Sequence, residues 1–310
     1  NLAKVDSLHT AIGQERLAET NNVKYGNAIG LGASIAGALM TWVNNDNFAQ
    51  TRSMIYMVPS RSENPAFWEP TGSVTSPLEP YWGQIRPFCM ASGTACYVPS
   101  QIPYNTDENS GFYQAALEVY NTGVNLTQEQ KNIASWWADG PGATPTPPGH
   151  WLRISHQMIN EMDLGLDNAA EIYMLVGLCV GDAFISCWDA KYRENLLRPV
   201  TYIRENIDPN WNTYISTPPF PEYTSGHSVC SGAAAEILTN KLGNIPFTDA
   251  SNTFLGIAPR SFASFNDAAE EAAFSRLYGG IHYREGIVLG VQQGRIVAQT
   301  VLNRIKLEKN

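Results

Sequence analysis

Residues 221–238 read PEYTSGHSVCSGAAAEIL and place a serine, a glycine and a histidine at the start of an alanine-rich segment. Alanine favours helix, and serine is a common residue at a helix start. The first backbone N–H groups of a helix have no acceptor inside it, and the helix dipole makes this end positive. The stretch therefore predicts a helix from about residue 225, with Ser225, Gly226 and His227 forming either a simple cap or the floor of an anion site.

The composition limits the classes of partner. The chain has 310 residues, 44% of them hydrophobic, and a formal net charge of −9. This hydrophobic share is enough for a large core. Because nucleic acids and anionic membranes both attract basic surfaces, the acidic balance argues against a nucleic-acid partner and against a polybasic membrane contact.

Helical patterns dominate the chain, at residues 7–50, 151–206, 225–242 and 266–307, with a possible interruption at 21–30. The segment at about 51–110 is rich in Pro, Gly, Ser and aromatic residues and is expected to be ordered but irregular. A proline- and glycine-rich connector follows at 140–149. We expect one mainly α domain over residues 1–310, built of helical bundles packed together.

Two apolar runs, residues 28–43 and 172–181, are shorter than the ~20 residues that a bilayer core requires. We expect both to be buried core helices and expect no membrane span. The chain starts at Asn1, without a methionine or a signal peptide, which is compatible with a processed terminus.

The five cysteines give a weak indication of compartment. Cys89 and Cys96 are close enough in sequence to form a small disulfide loop, whereas Cys179, Cys187 and Cys230 lie in apolar helical contexts typical of buried thiols. We expect a periplasmic or secreted protein.

Three basic residues lie inside otherwise apolar segments. Lys191 and Arg198 are seven residues apart in CWDAKYRENLLRPV, so on one helix they would project from nearly the same side, with Pro199 marking a kink or a stop. Arg276 and His282 are six residues apart, and the two glycines between them, at 279 and 280, can break a helix and let both side chains turn to one centre.

Taken singly, such residues are usually ordinary: a lysine or arginine on a helix is mostly solvated, and His9, His150 and His156 are interpreted as structural. The combination is more informative. Together the three segments supply two guanidiniums, one ammonium, a hydroxyl, a helix-start N–H and two imidazoles, a set that suits a tetrahedral oxyanion.

Three ordered blocks carry a family resemblance: K-x6-R-P at 191–199, S-G-H at 225–227 and S-R-x5-H at 275–282. They resemble the signature shared by the vanadium-dependent haloperoxidases, the class A bacterial acid phosphatases and the lipid phosphatases of the phosphatidic acid phosphatase type 2 superfamily. All fixed positions are present. Thr224 stands where many members have proline, and Gly286 stands where many have aspartate.

The missing aspartate removes a usual orienting partner of the last histidine, and Glu285 or a backbone carbonyl is the replacement that we expect. The surrounding sequence points to one branch of the superfamily. The lipid phosphatases are membrane proteins, and the class A phosphatases are generally shorter than this chain. DGPGATPTPPGHW and SRLYGGIHYREG resemble the bacterial iodoperoxidase-like branch, and Trp188 and Phe220 resemble the aromatic residues that flank the cofactor in some vanadium haloperoxidases.

The resemblance implies a vanadium haloperoxidase-like fold and a site within residues 188–286 that holds vanadate, with no haem, flavin or nicotinamide. It implies that hydrogen peroxide oxidises a halide, iodide most readily, to hypohalous acid, with an organic halide acceptor as a further candidate partner. The implied roles are vanadium ligation by His282, acid–base chemistry by His227, and contacts to the vanadate oxygens from Lys191, Arg198, Arg276, Ser225 and the Gly226 N–H.

Two other functions fit the same residues. An acid phosphatase would use His282 as the nucleophile and His227 as the acid for the leaving group. A non-catalytic oxyanion-binding protein would need the cations but not the acid. The sequence does not indicate an oligomeric state.

Overall fold

The computed structural model describes residues 2–72 and 74–306. Helices α1 to α8 are Leu2–Ala18, Asn22–Val43, Phe48–Thr51, Gly111–Val124, Gln128–Trp136, Thr146–Glu161, Leu166–Glu194 and Pro199–Asn206. Then follow α9 (Gly226–Leu242), the antiparallel strands β1 (Phe247–Asp249) and β2 (Arg260–Phe262), α10 (Phe265–Tyr278) and α11 (Arg284–Arg304). The mainly α prediction is confirmed.

The chain divides into two compact units, one ending at Gln50 and the other beginning at Thr51. The expectation of one domain over 1–310 stays a prediction. In the first unit, α1 and α2 are separated at the predicted interruption, where the Asn21 side chain accepts hydrogen bonds from the N–H groups of Val23 and Lys24.

The prediction that residues 28–43 form a buried core helix is wrong. None of the described residues of α1 or α2 is buried, and α2 exposes large apolar side chains such as Leu31 and Leu39. The composition showed that this helix is apolar, but it could not show whether other residues pack against it.

Two stretches are long and apolar enough to cross a membrane when judged by length and composition, Asn22–Thr51 and Leu166–Glu194. The second is a core helix of the larger unit, with 56% of its apolar window buried, as the sequence predicted for 172–181. None of the window in the first stretch is buried. The absence of a membrane span therefore stays a prediction.

Helix α9 lies at the centre of the larger unit and packs against α7, α10 and α11. Most of the side chains in its first three turns are small, which lets the neighbouring backbones approach closely. At Gly294 of α11, a Cβ atom would lie 2.1 Å from the carbonyl oxygen of Val229. The alanine-rich stretch thus forms a central helix at whose start the predicted site residues lie.

The irregular segment before α4 is anchored to the helical core, as predicted, and its Trp68 is fully buried. The buried carboxylate of Asp182 in α7 accepts hydrogen bonds from the backbone N–H groups of Phe88, Cys89 and Met90, at 2.7–3.1 Å. The Cys89–Cys96 disulfide that the sequence spacing allows is absent, since both are free, buried thiols. Cys179, Cys187 and Cys230 are buried thiols, as predicted.

Lys191 and Arg198 do not share one helix, contrary to the prediction. Helix α7 ends just before Asn195, which adopts the left-handed conformation with φ 49°, and Arg198 is the residue that precedes α8. Pro199 is the first residue of α8 instead of a stop, a position where its missing N–H costs nothing. In the same way, α6 begins at Thr146, inside the predicted connector, with prolines in its first turn.

The predicted break between Arg276 and His282 is confirmed. Helix α10 ends at Tyr278, and Gly280 adopts φ +77°, which favours glycine. The chain then turns before α11, and both side chains reach one site.

Candidate active site

A cavity of about 880 Å³ opens in the larger unit. Its walls are mostly apolar and include Leu78, Phe184, Ile215, Pro218 and Pro219, and polar side chains that line it include His227, Arg276 and His282. The cavity therefore combines an apolar vestibule with the cationic and imidazole groups predicted from sequence.

His282 is 2% exposed and has two opposed partners. Its Nδ1 lies 2.8 Å from Oε1 of Glu222, and its Nε2 lies 3.1 Å from Nη1 of Arg198. An ionised carboxylate only accepts and a guanidinium only donates, so Nδ1 carries the proton and Nε2 carries the lone pair. Burial, followed by the charges of Arg198 and Lys191, holds the pKa of His282 well below its usual value.

Arg198 is fully buried and contacts two other segments of the chain. Its Nε donates to the carbonyl of Phe220 at 2.9 Å, and its Nη1 donates to the carbonyl of Ile281 at 2.8 Å. Nη2 is buried and has no hydrogen-bond partner among the described residues. Burial lowers the pKa of Arg198 to about 10, so the side chain is a cation at neutral pH with a free donor beside His282.

Arg276 and His227 share one supporting loop. Nη2 of Arg276 donates to the carbonyl of Trp137 at 2.7 Å. The His227 ring lies beside the carbonyls of Trp137 and Ala138, and its Nε2 is buried without a hydrogen-bond partner among the described residues. Burial and the charge of Arg276 hold the pKa of His227 well below its usual value.

Lys191 is fully buried, and its Nζ donates to the carbonyls of Pro221, Glu222 and Thr224 at 3.1, 3.0 and 2.5 Å. All three N–H groups are thus used in fixing the segment that leads to Ser225. Burial lowers the pKa of Lys191 to about 8. Its predicted contact with vanadate oxygens stays a prediction.

Ser225 and Gly226 form the start of α9. The Ser225 hydroxyl caps the helix by accepting from the Ser228 N–H at 3.3 Å, as expected for the simple cap. The Gly226 N–H has no acceptor inside the helix. A Cβ atom at Gly226 would make only ordinary contacts, with Trp188 at 3.5 Å and Phe184 at 3.9 Å, so protein packing does not require a glycine there.

The aromatic residues predicted beside the site form one cluster. The Trp188 ring lies 5.0 Å from the ring of Phe220 and 5.2 Å from that of Phe184. Phe220 also lies 4.9 Å from both Nζ of Lys191 and Cζ of Arg198, a distance typical of cation–π contacts. The cluster thus covers the cations on the cavity side and shields them from water.

Sequence reasoning missed two sets of acidic residues. Glu222, three residues before Ser225, orients His282, whereas the expected replacement Glu285 instead binds Ser100 Oγ and the N–H groups of residues 101 and 102. The glycine at 286 was the available signal, because a missing partner must be supplied from elsewhere.

The second missed set surrounds His150, which was interpreted as structural. Its Nδ1 lies 3.0 Å from Asp139 and its Nε2 lies 2.9 Å from Asp249, and the ring stacks on Trp137 with 4.3 Å between centroids. This network fixes the loop that contains Trp137, whose carbonyl accepts from Arg276 and lies beside the His227 ring. The separation of Asp249 from His150 by 99 residues left no local signal.

The atoms that line the site show whether it suits vanadate. A lone pair on His282 Nε2, a buried unpartnered N–H of Arg198, and the free Gly226 N–H suit a metal oxyanion held by one histidine and several donors. Among the described residues, no group of three or more His, Cys, Asp or Glu side chains could hold a metal cation. The fold and site define a helical-bundle protein with a cavity whose polar groups suit an oxyanion.

Comparison with known proteins narrows this class. The model of the VCPO second helical-bundle domain matches residues 171–308. The crystal structure of a bacterial vanadium-dependent iodoperoxidase is 38% identical, with a TM-score of 0.88, and the match covers 97% of this chain and 74% of that one. The chain belongs to the vanadium haloperoxidase family.

Two more distant relatives agree with this assignment. The vanadium chloroperoxidase of Curvularia inaequalis is 27% identical over 192 residues, which make up 51% of this chain and 32% of that protein. The chain thus spans about a third of the length of this curated relative. A holo-type bacterial vanadium-dependent chloroperoxidase, 17% identical with a TM-score of 0.68 over 97% of this chain and 78% of that one, shares the fold.

Proposed function

We propose that the protein is a vanadate-dependent haloperoxidase that oxidises halide with hydrogen peroxide. One observation carries the proposal: the cavity-lining His282 has its lone pair on Nε2, where it accepts from Arg198 Nη1, and the neighbouring Nη2 of Arg198 is buried and unpartnered among the described residues. His282 would hold the vanadium, and Arg198, Arg276 and the Gly226 N–H would bind the oxygens. Bound vanadate supplies a Lewis-acidic centre that activates peroxide.

His227 is the proton-transfer group in this proposal. Its Nε2 is buried and has no hydrogen-bond partner among the described residues, so with the ring proton on Nδ1 this atom would be free to take a proton from hydrogen peroxide. The same atom returns a proton to the departing oxygen. For iodide the overall reaction balances as hydrogen peroxide, iodide and one proton giving hypoiodous acid and water, with iodide oxidised by two electrons and peroxide reduced.

Iodide is the proposed halide because it is the easiest of the three to oxidise, and because the relative at 38% identity is an iodoperoxidase. The aromatic wall of Trp188 and Phe220 is an apolar surface beside the cations, suited to a large, weakly hydrated anion. Halide selectivity is therefore expected to fall in the order iodide, bromide, chloride.

The vestibule supports an organic halide acceptor as a further substrate. A volume of about 880 Å³ lies in the range of pockets that enclose drug-sized molecules and greatly exceeds what peroxide and a halide ion occupy. Its apolar walls favour an uncharged, hydrophobic acceptor, which would meet the oxidised halogen before water does.

The experiment is to remove bound vanadate and phosphate, add orthovanadate, and assay iodide oxidation by peroxide and hydrolysis of p-nitrophenyl phosphate in parallel. Vanadate-dependent iodide oxidation is expected. Phosphate ester hydrolysis that vanadate inhibits would instead identify a phosphatase, and the absence of both reactions would identify an oxyanion-binding protein. Export stays a separate proposal, and the free Cys89 and Cys96 provide no disulfide to support it.

A further inference from the structure

Glu222 is a fully buried carboxylate fixed at both its backbone and its side chain. Its N–H donates to the carbonyl of Leu196 at 2.9 Å, and its own carbonyl accepts from Lys191 Nζ at 3.0 Å. Oε1 accepts from His282 Nδ1 at 2.8 Å and from the Tyr283 N–H at 3.0 Å. The carboxylate is therefore held against the histidine with little freedom to move.

This contact decides which nitrogen of His282 is available. Because Nδ1 keeps its proton and donates it in a hydrogen bond to the carboxylate, the lone pair lies on Nε2, where Arg198 Nη1 donates to it at 3.1 Å. A histidine that binds a metal needs the lone pair on the metal-facing nitrogen, and a hydrogen bond to its other nitrogen fixes both this tautomer and the ring orientation.

Gly286 occupies the complementary position. A Cβ atom there would lie 2.6 Å from Oε1 and 2.9 Å from Oε2 of Glu222, closer than real Cβ contacts allow. The φ of Gly286 lies outside the left-handed region, so its backbone does not require a glycine. The carboxylate of Glu222 is what excludes a side chain at 286. Many members of the family have an aspartate at position 286. We infer that the carboxylate beside the histidine can come from position 222 or from position 286, but that there is no room for both.

We propose that Glu222 is the positioning residue that presents His282 Nε2 to vanadate, and that Glu222 and Gly286 form an exchangeable pair in which the carboxylate can be supplied from either position. The part of this proposal that concerns vanadate binding rests on the proposed function. The tautomer it assigns to His282 is a property of the protein without vanadate and can be measured independently.

Four variants test the pair: Glu222→Ala, Gly286→Asp, the double variant Glu222→Ala/Gly286→Asp, and Glu285→Gln as a matched carboxylate control that does not contact His282. The readouts are the vanadate Kd by equilibrium dialysis with metal analysis, the urea midpoint as a folding check, and the ¹⁵N shifts of the His282 ring without vanadate.

Glu222→Ala is expected to weaken vanadate binding by about 10- to 100-fold. The double variant is expected to recover most of this loss. Removing the Glu222 carboxylate makes room for the aspartate side chain at 286, whose carboxylate can then accept from His282 Nδ1. Gly286→Asp alone is expected to bind poorly, and Glu285→Gln is expected to bind like the wild type. In the apo wild type, the ¹⁵N shifts should show a protonated Nδ1 and an unprotonated Nε2.

An unchanged Kd in folded Glu222→Ala, or a folded double variant without recovery, would overturn the proposal. If Glu222→Ala does not fold, Glu222→Gln replaces it. The proposal requires that the amide variant shifts the His282 ¹⁵N resonances and raises the Kd, and unchanged values of both would refute it. If the wild type binds no vanadate, the proposed function fails, while an Nδ1–H tautomer in the wild type whose ring ¹⁵N shifts change in Glu222→Gln still supports the positioning role.

Discussion

Raising the pH from 6.5 to 9.5 is expected to lower the free energy of unfolding of the larger unit, because the buried His150 loses its proton. Burial lowers the pKa of this imidazole, but hydrogen bonds and charges from Asp139 and Asp249 outweigh burial and raise the pKa to about 9. A pKa that rises from the ordinary 6.5 of histidine to about 9 corresponds to about 3 kcal/mol of stability, at about 1.36 kcal/mol for each tenfold change in proton affinity.

The sign follows from proton linkage. The pKa in the folded protein is higher than in the unfolded chain, so the stabilisation is fully present below pH 6.5 and is lost as the pH rises through about 9. Lys191 has the opposite slope, because burial lowers its pKa to about 8 and folding is favoured again as its proton leaves. The contribution of His150 must therefore be isolated.

The assay combines an NMR titration of the His150 ring with urea unfolding at several pH values, in the wild type and in Asp249→Asn. The variant keeps the shape of the side chain but removes one anion, so the pKa of His150 is expected to fall and the loss of stability between pH 6.5 and 9.5 to shrink. A His150 that titrates near 6.5 in the wild type would refute the reasoning, as would identical slopes in the two proteins.

Three further changes test the remaining architecture. His227→Ala is expected to lower kcat for iodide oxidation by about 10²–10⁴-fold while vanadate remains bound, since a proton-transfer group is lost; lost vanadate would assign His227 to binding instead. Lys191→Met should lower the free energy of unfolding by about 3 kcal/mol, because three buried carbonyls lose their donor; an unchanged urea midpoint would contradict this. Gly294→Ala should lower it by about 1–3 kcal/mol through the clash with the Val229 carbonyl, whereas Gly177→Ala, a control with no atom within 4 Å, should not be destabilising.

Local signals were sufficient for part of the fold. The start of α9 at Ser225 and the break at Gly280 follow from capping and glycine chemistry that acts within a few residues. The capping box of Thr127 and Gln130 at the start of α5 is a local feature of the same kind. Such features depend little on the rest of the chain, so the sequence predicts them well.

Features that depend on distant contacts were missed. Helix α7 ends at Glu194, and directly after it the Asn195 carbonyl accepts from the Trp68 N–H at 2.7 Å, while the Leu197 N–H donates to the carbonyl of Ala66. This pairing with the irregular segment separates Lys191 from Arg198, which helical spacing had placed on one helix. The partner of His282 was missed likewise, because the approach of Glu222 depends on how two segments 60 residues apart fold together.

The most direct test of the central claim is a crystal structure of the protein with bound orthovanadate, supported by metal analysis of wild type and His282→Ala. The account predicts one vanadium per chain, bound to Nε2 of His282 and lying beside Arg198 and the start of α9, and loss of vanadium from the variant. Vanadium bound away from His282, or retained by His282→Ala, would contradict it.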